Sequence, residues 1–185
     1  MYTGKHRKLN RKAGHDYSQN GYYFVTLCVK DRVECLGEIK NEEMVYNRYG
    51  QTALKYWQAI PDHYPNVFLD EWIIMSNHIH GIIVIENPVA ENVGTGHVGT
   101  EQCSVPTDAV KQKNYGLLSK IVKSFKEKSL KSIRNDFHDH EFAWQRSFYD
   151  HIIRNEKSLQ NIRKYIYYNP AKWESDRNNP VNLWM

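Results

Sequence analysis

An apolar stretch interrupted by two histidines stands out between residues 71 and 86, which read EWIIMSNHIHGIIVIE. It is rich in β-branched side chains and bounded by polar residues and a proline, a pattern typical of buried strands. We predict one strand near Phe68–Met75 and another near His78–Glu86, with a turn at Ser76-Asn77. The aromatic and β-branched segment Tyr22–Lys30 predicts a further strand, close to the N-terminus.

Apolar residues at three-to-four spacing predict three helices. They are Glu42–Ile60, Tyr115–Asn135 and Glu156 to about Tyr168. Pro61 and Pro170 are expected to stop the first and the last, and Asn155 is a good N-cap for the last. Gly37–Asn41 predicts a turn, and the aromatic segment Phe142–Ile153 predicts another strand or extended edge.

The predicted order is strand, helix, two strands, helix, strand and a final helix. This order is typical of an α+β fold, a ferredoxin-like βαββαβ sandwich with an antiparallel sheet, here with an added C-terminal helix. With 185 residues the chain is expected to form one domain. We place the domain at 21–173, a basic arm at 1–20, a polar tail at 174–185, and a flexible Gly- and Pro-containing insertion at 87–113.

The charge of the chain is only mildly basic, with 25 Lys and Arg against 21 Asp and Glu, but the basic residues are clustered. Residues 1–12 carry five of them and no acid, and the Tyr115–Asn135 helix carries a stripe of lysines. Such clusters can contact nucleic-acid phosphates, or they can be ordinary solvated surfaces. The candidate contacts are Lys5, Arg7, Lys8, Arg11, Lys12, Lys120, Lys123 and Arg146.

Cysteine and hydropathy patterns exclude several classes of protein. The three cysteines have no Cys-x-x-Cys spacing and are odd in number, so neither a zinc ribbon nor a disulfide framework is indicated. No signal segment and no apolar run of about 18 residues is evident. We expect a soluble cytoplasmic protein with no membrane partner.

His78 and His80 are the first candidate for chemistry. Residues two apart in a strand point to the same face, so both imidazoles could converge on one metal ion. Gly81 follows, and glycine inside a strand often marks the close approach of a ligand or another backbone. The two histidines could equally satisfy each other or a backbone carbonyl at the sheet surface.

Tyr165 and Asn169 are the second candidate. On the last helix, Leu159, Ile162 and Ile166 form the buried stripe, and Tyr165 lies on its shoulder with Asn169 one turn further on the same side. A phenol and an amide are thus offered together from one helix edge. Alternatively, Tyr165 is a tyrosine at the core boundary and Asn169 a helix-terminal residue.

Together these residues resemble a known family. A strand with His-hydrophobic-His, followed by WQRSFYDHIIRN and YIYYNP, resembles the single-tyrosine HUH transposases, above all the REP-associated tyrosine transposases of the IS200-like group. The likeness runs from about Tyr22 to Pro170. Asn169 stands where insertion-sequence enzymes often have Gln, which favours the REP-associated branch. The insertion at 87–113 is longer than expected for the family.

The resemblance implies a site and a reaction. His78, His80 and Asn169 would bind a divalent metal, Mg²⁺ or Mn²⁺, and Tyr165 would be the nucleophile. The substrate would be single-stranded DNA with hairpins such as REP-like palindromes, cleaved and rejoined through a 5′-phosphotyrosine. Family members work as monomers or as homodimers that exchange their tyrosines, and both remain open here.

Two rival functions remain open. A phosphoesterase using metal-bound water would need more carboxylates near the histidines, where only Glu71 and Glu86 are close in sequence. A domesticated relative could bind hairpin DNA or RNA without cutting it. Tyr149 and Tyr167 are alternative nucleophiles.

Overall fold

The computed structural model of the protein describes residues 12, 14–88, 116–176 and 178–179. Lys5, Arg7, Lys8 and Arg11 and most of the predicted insertion 87–113 lie outside the described residues. The strands are β1 (Gly21–Cys28), β2 (Gly37–Lys40), β3 (Glu43–Tyr46), β4 (Val67–Ile74), β5 (His78–Ile85) and β6 (Tyr149–Ile153). The helices are α1 (Arg48–Gln58), α2 (Ile60–His63), α3 (Leu117–Phe137) and α4 (Glu156–Tyr167), with 3₁₀ turns at Lys30–Arg32 and Pro170–Ser175.

Four strands form the central sheet in the order β4-β5-β1-β6, and every neighbouring pair is antiparallel. Helix α1 connects β1 to β4 and helix α3 connects β5 to β6, so the sheet and its two crossovers have the βαββαβ order. The ferredoxin-like α+β architecture is therefore confirmed, including the C-terminal helix α4. Within the described ranges, no helix combines the length and the apolar character that a bilayer span requires.

The region before α1 differs from the prediction. Residues 37–46 form a small hairpin, β2 and β3, where a turn and the start of a helix were expected. Asn41 and Glu42 both adopt left-handed backbone angles, which closes a two-residue hairpin turn. The helix begins only at Arg48, because the side chain of Asn47 accepts hydrogen bonds from the first free amide groups.

Prolines mark helix boundaries less simply than predicted. Helix α1 ends at Gln58, and Pro61 lies in the first turn of the short helix α2. Proline fits there because its missing N–H would have no partner in the first turn. Likewise Pro170 follows α4 and opens the 3₁₀ turn Pro170–Ser175.

The predicted strand Phe142–Ile153 is shorter in the structure, where only Tyr149–Ile153 forms β6. Trp144 makes an isolated bridge with Val29 of the neighbouring chain segment. Between Trp144 and the start of β6, the ammonium of Lys126 donates to the carbonyls of Gln145 and Ser147. These hydrogen bonds hold the segment between Trp144 and β6 as a loop.

The sheet is covered on both faces. One face packs against α1 and α3, and its buried side chains include Val25, Leu27, Ile79, Ile83, Trp57, Ile121 and Phe125. The other face, called here the α4 face, carries Phe24, Ile82 and Val84, which pack against Leu159 and Ile166 of α4. Because strand residues alternate, Thr26, His78 and His80 lie on the α4 face as well.

Candidate active site

His78 and His80 begin strand β5 on the α4 face. The antiparallel register sets His80 opposite Thr26 and His78 opposite Cys28 on the central strand β1. Both imidazoles are buried, 1% and 0% exposed, and their ring centroids are 4.4 Å apart. The prediction that the two side chains share one face holds in the structure.

Each imidazole is oriented through its Nδ1 atom. The hydroxyl of Thr26 lies 2.9 Å from Nδ1 of His80, and Oδ1 of Asn77 lies 2.8 Å from Nδ1 of His78. The Nδ2 group of Asn77 donates to the backbone carbonyls of Arg32 and Asn178, so its Oδ1 must be the acceptor from His78. Nδ1 of His78 therefore carries the hydrogen, and the lone pair of the neutral ring lies on Nε2.

Tyr165 reaches this pair from α4. Its hydroxyl lies 2.9 Å from Nε2 of His80 and donates to Oδ2 of Asp176 at 3.1 Å. The ring packs edge-on against Phe24, and 39% of the residue is exposed. The phenol thus lies at the mouth of the histidine cluster, with one side open to solvent.

Asn169 lies just beyond the end of α4 and is buried, 1% exposed. Its Nδ2 group donates to the same Oδ2 of Asp176 that Tyr165 contacts, at 3.1 Å. Its Oδ1 atom is also buried and has no hydrogen-bond partner in the described part of the chain. An amide oxygen left in this state is destabilising unless another group binds it.

Asp176 and Trp173 were missed in the sequence. Burial acts to raise the pKa of Asp176, but hydrogen bonds from the Asn178 amide, Asn169 and Tyr165, together with nearby His78, hold it below the ordinary 3.8. The carboxylate is therefore charged at neutral pH. Trp173 stacks on the ring of His78 with centroids 5.9 Å apart. No periodicity marks either residue, because both belong to the segment that follows the last regular helix.

The donor set decides whether a metal ion fits. Among the described residues no group of three His, Cys, Asp or Glu side chains could hold one. The available donors are instead the imidazoles of His78 and His80 and the buried Oδ1 of Asn169. Two imidazole nitrogens and one amide oxygen are acceptable to several divalent cations, and the amide oxygen lacks a protein partner. These residues fit the metal that the resemblance implies.

The two alternative nucleophiles have different surroundings from Tyr165. Tyr149 is on β6, and its ring packs edge-on against the ring of Phe24, with centroids 6.3 Å apart. Tyr167 is 67% exposed and packs against Tyr168. The hydroxyl of Tyr165, in contrast, lies 2.9 Å from Nε2 of His80.

The predicted phosphate contacts are spread over the molecule. Lys12 lines a cleft of about 370 Å³ beside Arg154 and Asn155, at the start of α4. Lys120 and Lys123 lie on the outer side of α3, which covers the face of the sheet opposite the histidines. Lys123 also pairs with Glu127 at 3.7 Å.

Arg146 follows a residue that contacts the end of strand β1. The amide of the preceding residue, Gln145, donates to the carbonyl of Cys28, and Cys28 is the β1 partner of His78. The exposed Arg146 therefore extends from the end of the sheet at which the histidine pair lies.

Known proteins resemble the chain over most of its length. No protein-family model matches it. It is 35% identical over 178 residues to an uncharacterised protein of Haemophilus influenzae, spanning 93% of this chain and 92% of that protein. It is 28% identical over 159 residues to a protein of the same bacterium classed provisionally as a REP-associated tyrosine transposase, spanning 85% of this chain and 74% of that one.

A solved structure shares the fold. It is that of a REP-associated tyrosine transposase bound to a REP hairpin, with a TM-score of 0.56 and 17% sequence identity. The alignment covers 88% of this chain and 74% of the other. At this identity the likeness establishes the common architecture.

Proposed function

We propose that the chain, which is similar over most of its length to a protein classed provisionally as a REP-associated tyrosine transposase, is itself such a transposase, and that it cleaves and rejoins hairpin-bearing single-stranded DNA through a covalent link to Tyr165. The observation that carries the proposal is the cluster of Tyr165, His80, Asp176 and Asn169, joined by hydrogen bonds of 2.9 to 3.1 Å. A solvent-facing phenol beside buried imidazoles and an unpartnered amide oxygen suits phosphoryl transfer better than a purely structural role.

The proposed step exchanges one phosphate ester for another. The phenolic oxygen of Tyr165 forms a bond to phosphorus, and the bond from phosphorus to the 3′ oxygen breaks. The phenol loses a proton and the departing 3′ oxygen gains one, so the products are a 5′-phosphotyrosine and a free 3′-hydroxyl. Attack of a 3′-hydroxyl on the link reverses the step and rejoins DNA. No external energy is needed, because the phosphotyrosine retains the free energy of the broken phosphate ester.

Different residues of the chain have different roles in the proposed reaction. A neutral phenol is a weak nucleophile, so its orientation and its proton acceptor matter: the Tyr165 hydroxyl donates to Asp176 and lies 2.9 Å from Nε2 of His80. Thr26 and Asn77 hold the imidazoles of His80 and His78 in place. Mg²⁺ or Mn²⁺ held by His78, His80 and Asn169 would supply positive charge to the phosphate in the transition state.

One chain can supply every group. Tyr165 contacts His80 within the same chain, which supports a site formed in cis by a monomer. A homodimer that exchanges its tyrosines would require α4 to leave His80. The hairpin in the related solved structure supports hairpin DNA as the partner of this chain as well.

The test is covalent capture of DNA by the full-length protein. It is incubated with labelled hairpin-bearing single-stranded DNA and Mn²⁺ or Mg²⁺, and adducts are resolved on a denaturing gel. We expect an adduct with the native protein and none with Tyr165→Phe. Tyr149→Phe and Tyr167→Phe are matched controls that should keep it.

Other results would contradict the proposal in recognisable ways. An adduct that persists in Tyr165→Phe moves the nucleophile to another residue. Cleavage without any adduct supports a hydrolytic phosphoesterase. Hairpin binding without cleavage or adduct, over several hairpins and both metals, supports a non-catalytic binding module.

A further inference from the structure

The Asp176 carboxylate joins the two groups of α4 that the proposed reaction uses. Its Oδ2 atom accepts hydrogen bonds from both the Tyr165 hydroxyl and the Asn169 amide, each at 3.1 Å. We propose that Asp176 is a positioning residue, which turns the carbonyl oxygen of Asn169 toward the metal and holds the Tyr165 phenol beside His80. This inference rests on the proposed function, because it assigns a role to Asp176 within that site.

The argument for Asn169 is one of hydrogen-bond chemistry. The Nδ2 group of Asn169 donates to Oδ2 of Asp176, an oxygen that also accepts from the Tyr165 hydroxyl, so the part of the amide that faces Asp176 is the NH₂ group. The carbonyl oxygen then points elsewhere, where it is buried without a partner among the described residues. Without the carboxylate, the amide could turn over and present NH₂, which cannot bind a cation. Asp176 thus selects the orientation in which Asn169 is a ligand.

The argument for Tyr165 is geometric. The single phenolic hydrogen is donated to Asp176, while the phenolic oxygen stays 2.9 Å from Nε2 of His80. The ring is fixed from the side by Phe24. Because Tyr165 is partly exposed, loss of the carboxylate would allow its side chain to turn out into solvent.

The carboxylate is itself held by the segment in which it lies. Its Oδ1 accepts from the Asn178 amide at 2.6 Å, and the Asn178 side chain accepts from Arg32 at 2.8 Å. The carbonyl of Asn178 accepts from Asn77, whose Oδ1 contacts His78. The segment that contains Asp176 is therefore connected to both the phenol and the histidine pair.

The experiment measures Mn²⁺ binding to the full-length protein without DNA, from the electron paramagnetic resonance signal of free Mn²⁺. Asp176→Asn keeps the size of the side chain but can present either an oxygen or an NH₂ group to Asn169. We expect its Mn²⁺ dissociation constant to rise about 10-fold, the lower end of the range typical for partners of metal ligands. Glu174→Gln, which removes an exposed carboxylate two residues earlier, is the matched control and should bind like the native protein.

A double-mutant cycle separates positioning from anchoring of the segment. If Asp176 acts through Asn169, then Asp176→Asn should weaken Mn²⁺ binding no further in an Asn169→Ala background. An equal additional loss in that background would overturn the inference, because the aspartate would then act through the segment alone. Unchanged affinity in the single variant would overturn it as well.

His78→Ala distinguishes this inference from the proposed function. If the native protein binds Mn²⁺ and His78→Ala does not, the metal site is supported whatever the result for Asp176→Asn. That result then tests only the positioning role of Asp176. If the native protein and His78→Ala bind equally, the proposed metal site fails and the inference fails with it. Urea unfolding of each metal-free variant shows that the measured proteins are folded.

Discussion

The hydroxyl of Tyr165 lies 2.9 Å from Nε2 of His80, although 85 residues separate them along the chain. The contact exists because α4 packs across the α4 face through Leu159 and Ile166, while His80 projects from the same face of β5. A strand and a helix that are distant in sequence thus bring a phenol and an imidazole together within one chain. Substitutions of residues that pack against Tyr165 or His80 should therefore change the geometry of the site.

Thr26 offers the first prediction. Its hydroxyl lies 2.9 Å from Nδ1 of His80, and the residue is buried. Thr26→Val keeps the shape but removes the hydrogen bond, so we expect Mn²⁺ affinity to fall about 10-fold. Thr26→Ser keeps the hydroxyl and should remain within about 3-fold of the native value on the same scale. Equal affinity of the valine and serine variants would show that the hydroxyl does not orient His80.

Gly81 offers a prediction about packing. A Cβ atom added to Gly81 would overlap Cζ2 of Trp57, which lies on the face of the sheet opposite the histidines. We expect Gly81→Ala to lower the free energy of unfolding by about 1 to 3 kcal/mol, measured by urea denaturation. In a Trp57→Phe background, which lacks Cζ2 of the indole, the same change should cost less. Additive losses would show that the strain arises elsewhere.

Gly81 illustrates which features of the fold a sequence pattern reveals. A glycine beside two histidines suggested the close approach of a ligand or another backbone, and the structure shows the side chain of Trp57 instead. Periodicity predicted the βαββαβ order because each long element has one apolar face. It could not predict the β2–β3 hairpin, where the left-handed angles of Asn41 and Glu42 and the cap at Asn47 determine the local structure.

The candidate site could be predicted only in part. The spacing of His78 and His80 required nothing beyond strand geometry. Helix geometry placed Tyr165 and Asn169 on one helix edge, and the resemblance supplied their chemical roles, which stay predictions. Asp176 has no such signal, because its position depends on backbone and side-chain contacts of Asn178 that no periodic pattern encodes. Short irregular segments are set by individual hydrogen bonds, which a pattern of apolar residues does not reveal.

The pair of Asp70 and Arg163 offers a prediction about pH. Arg163 of α4 contacts both carboxylate oxygens of Asp70 on β4, at 2.8 and 2.5 Å, and its hydrogen bonds lower the Asp70 pKa from the ordinary 3.8. A carboxyl pKa lowered by folding stabilises the protein above the unfolded-state value and loses that contribution as pH falls through the folded-state value. Native stability should therefore decline below about pH 4.

Asp70→Asn tests this linkage by urea denaturation across pH. It should lower the free energy of unfolding at pH 7 by about 1 to 3 kcal/mol, since the pair is only partly buried, and should reduce the slope below pH 4. Glu71→Gln, the adjacent carboxylate, is the matched control and should preserve the native slope. An unchanged acid slope in Asp70→Asn would show that other carboxylates govern the decline.

Arg146 offers the last prediction, which concerns DNA. Arg146 is exposed and adjoins the end of the sheet where the histidines lie, whereas Lys123 is on the opposite face and already pairs with Glu127. We expect Arg146→Gln to weaken binding of a hairpin oligonucleotide and to reduce the slope of log affinity against log salt by about 1. Lys123→Gln removes the same charge from α3 and should change neither quantity appreciably. A larger effect of Lys123→Gln would mean that the DNA extends around the molecule to α3, and equal small effects would direct attention to Lys12 and the cleft at the start of α4.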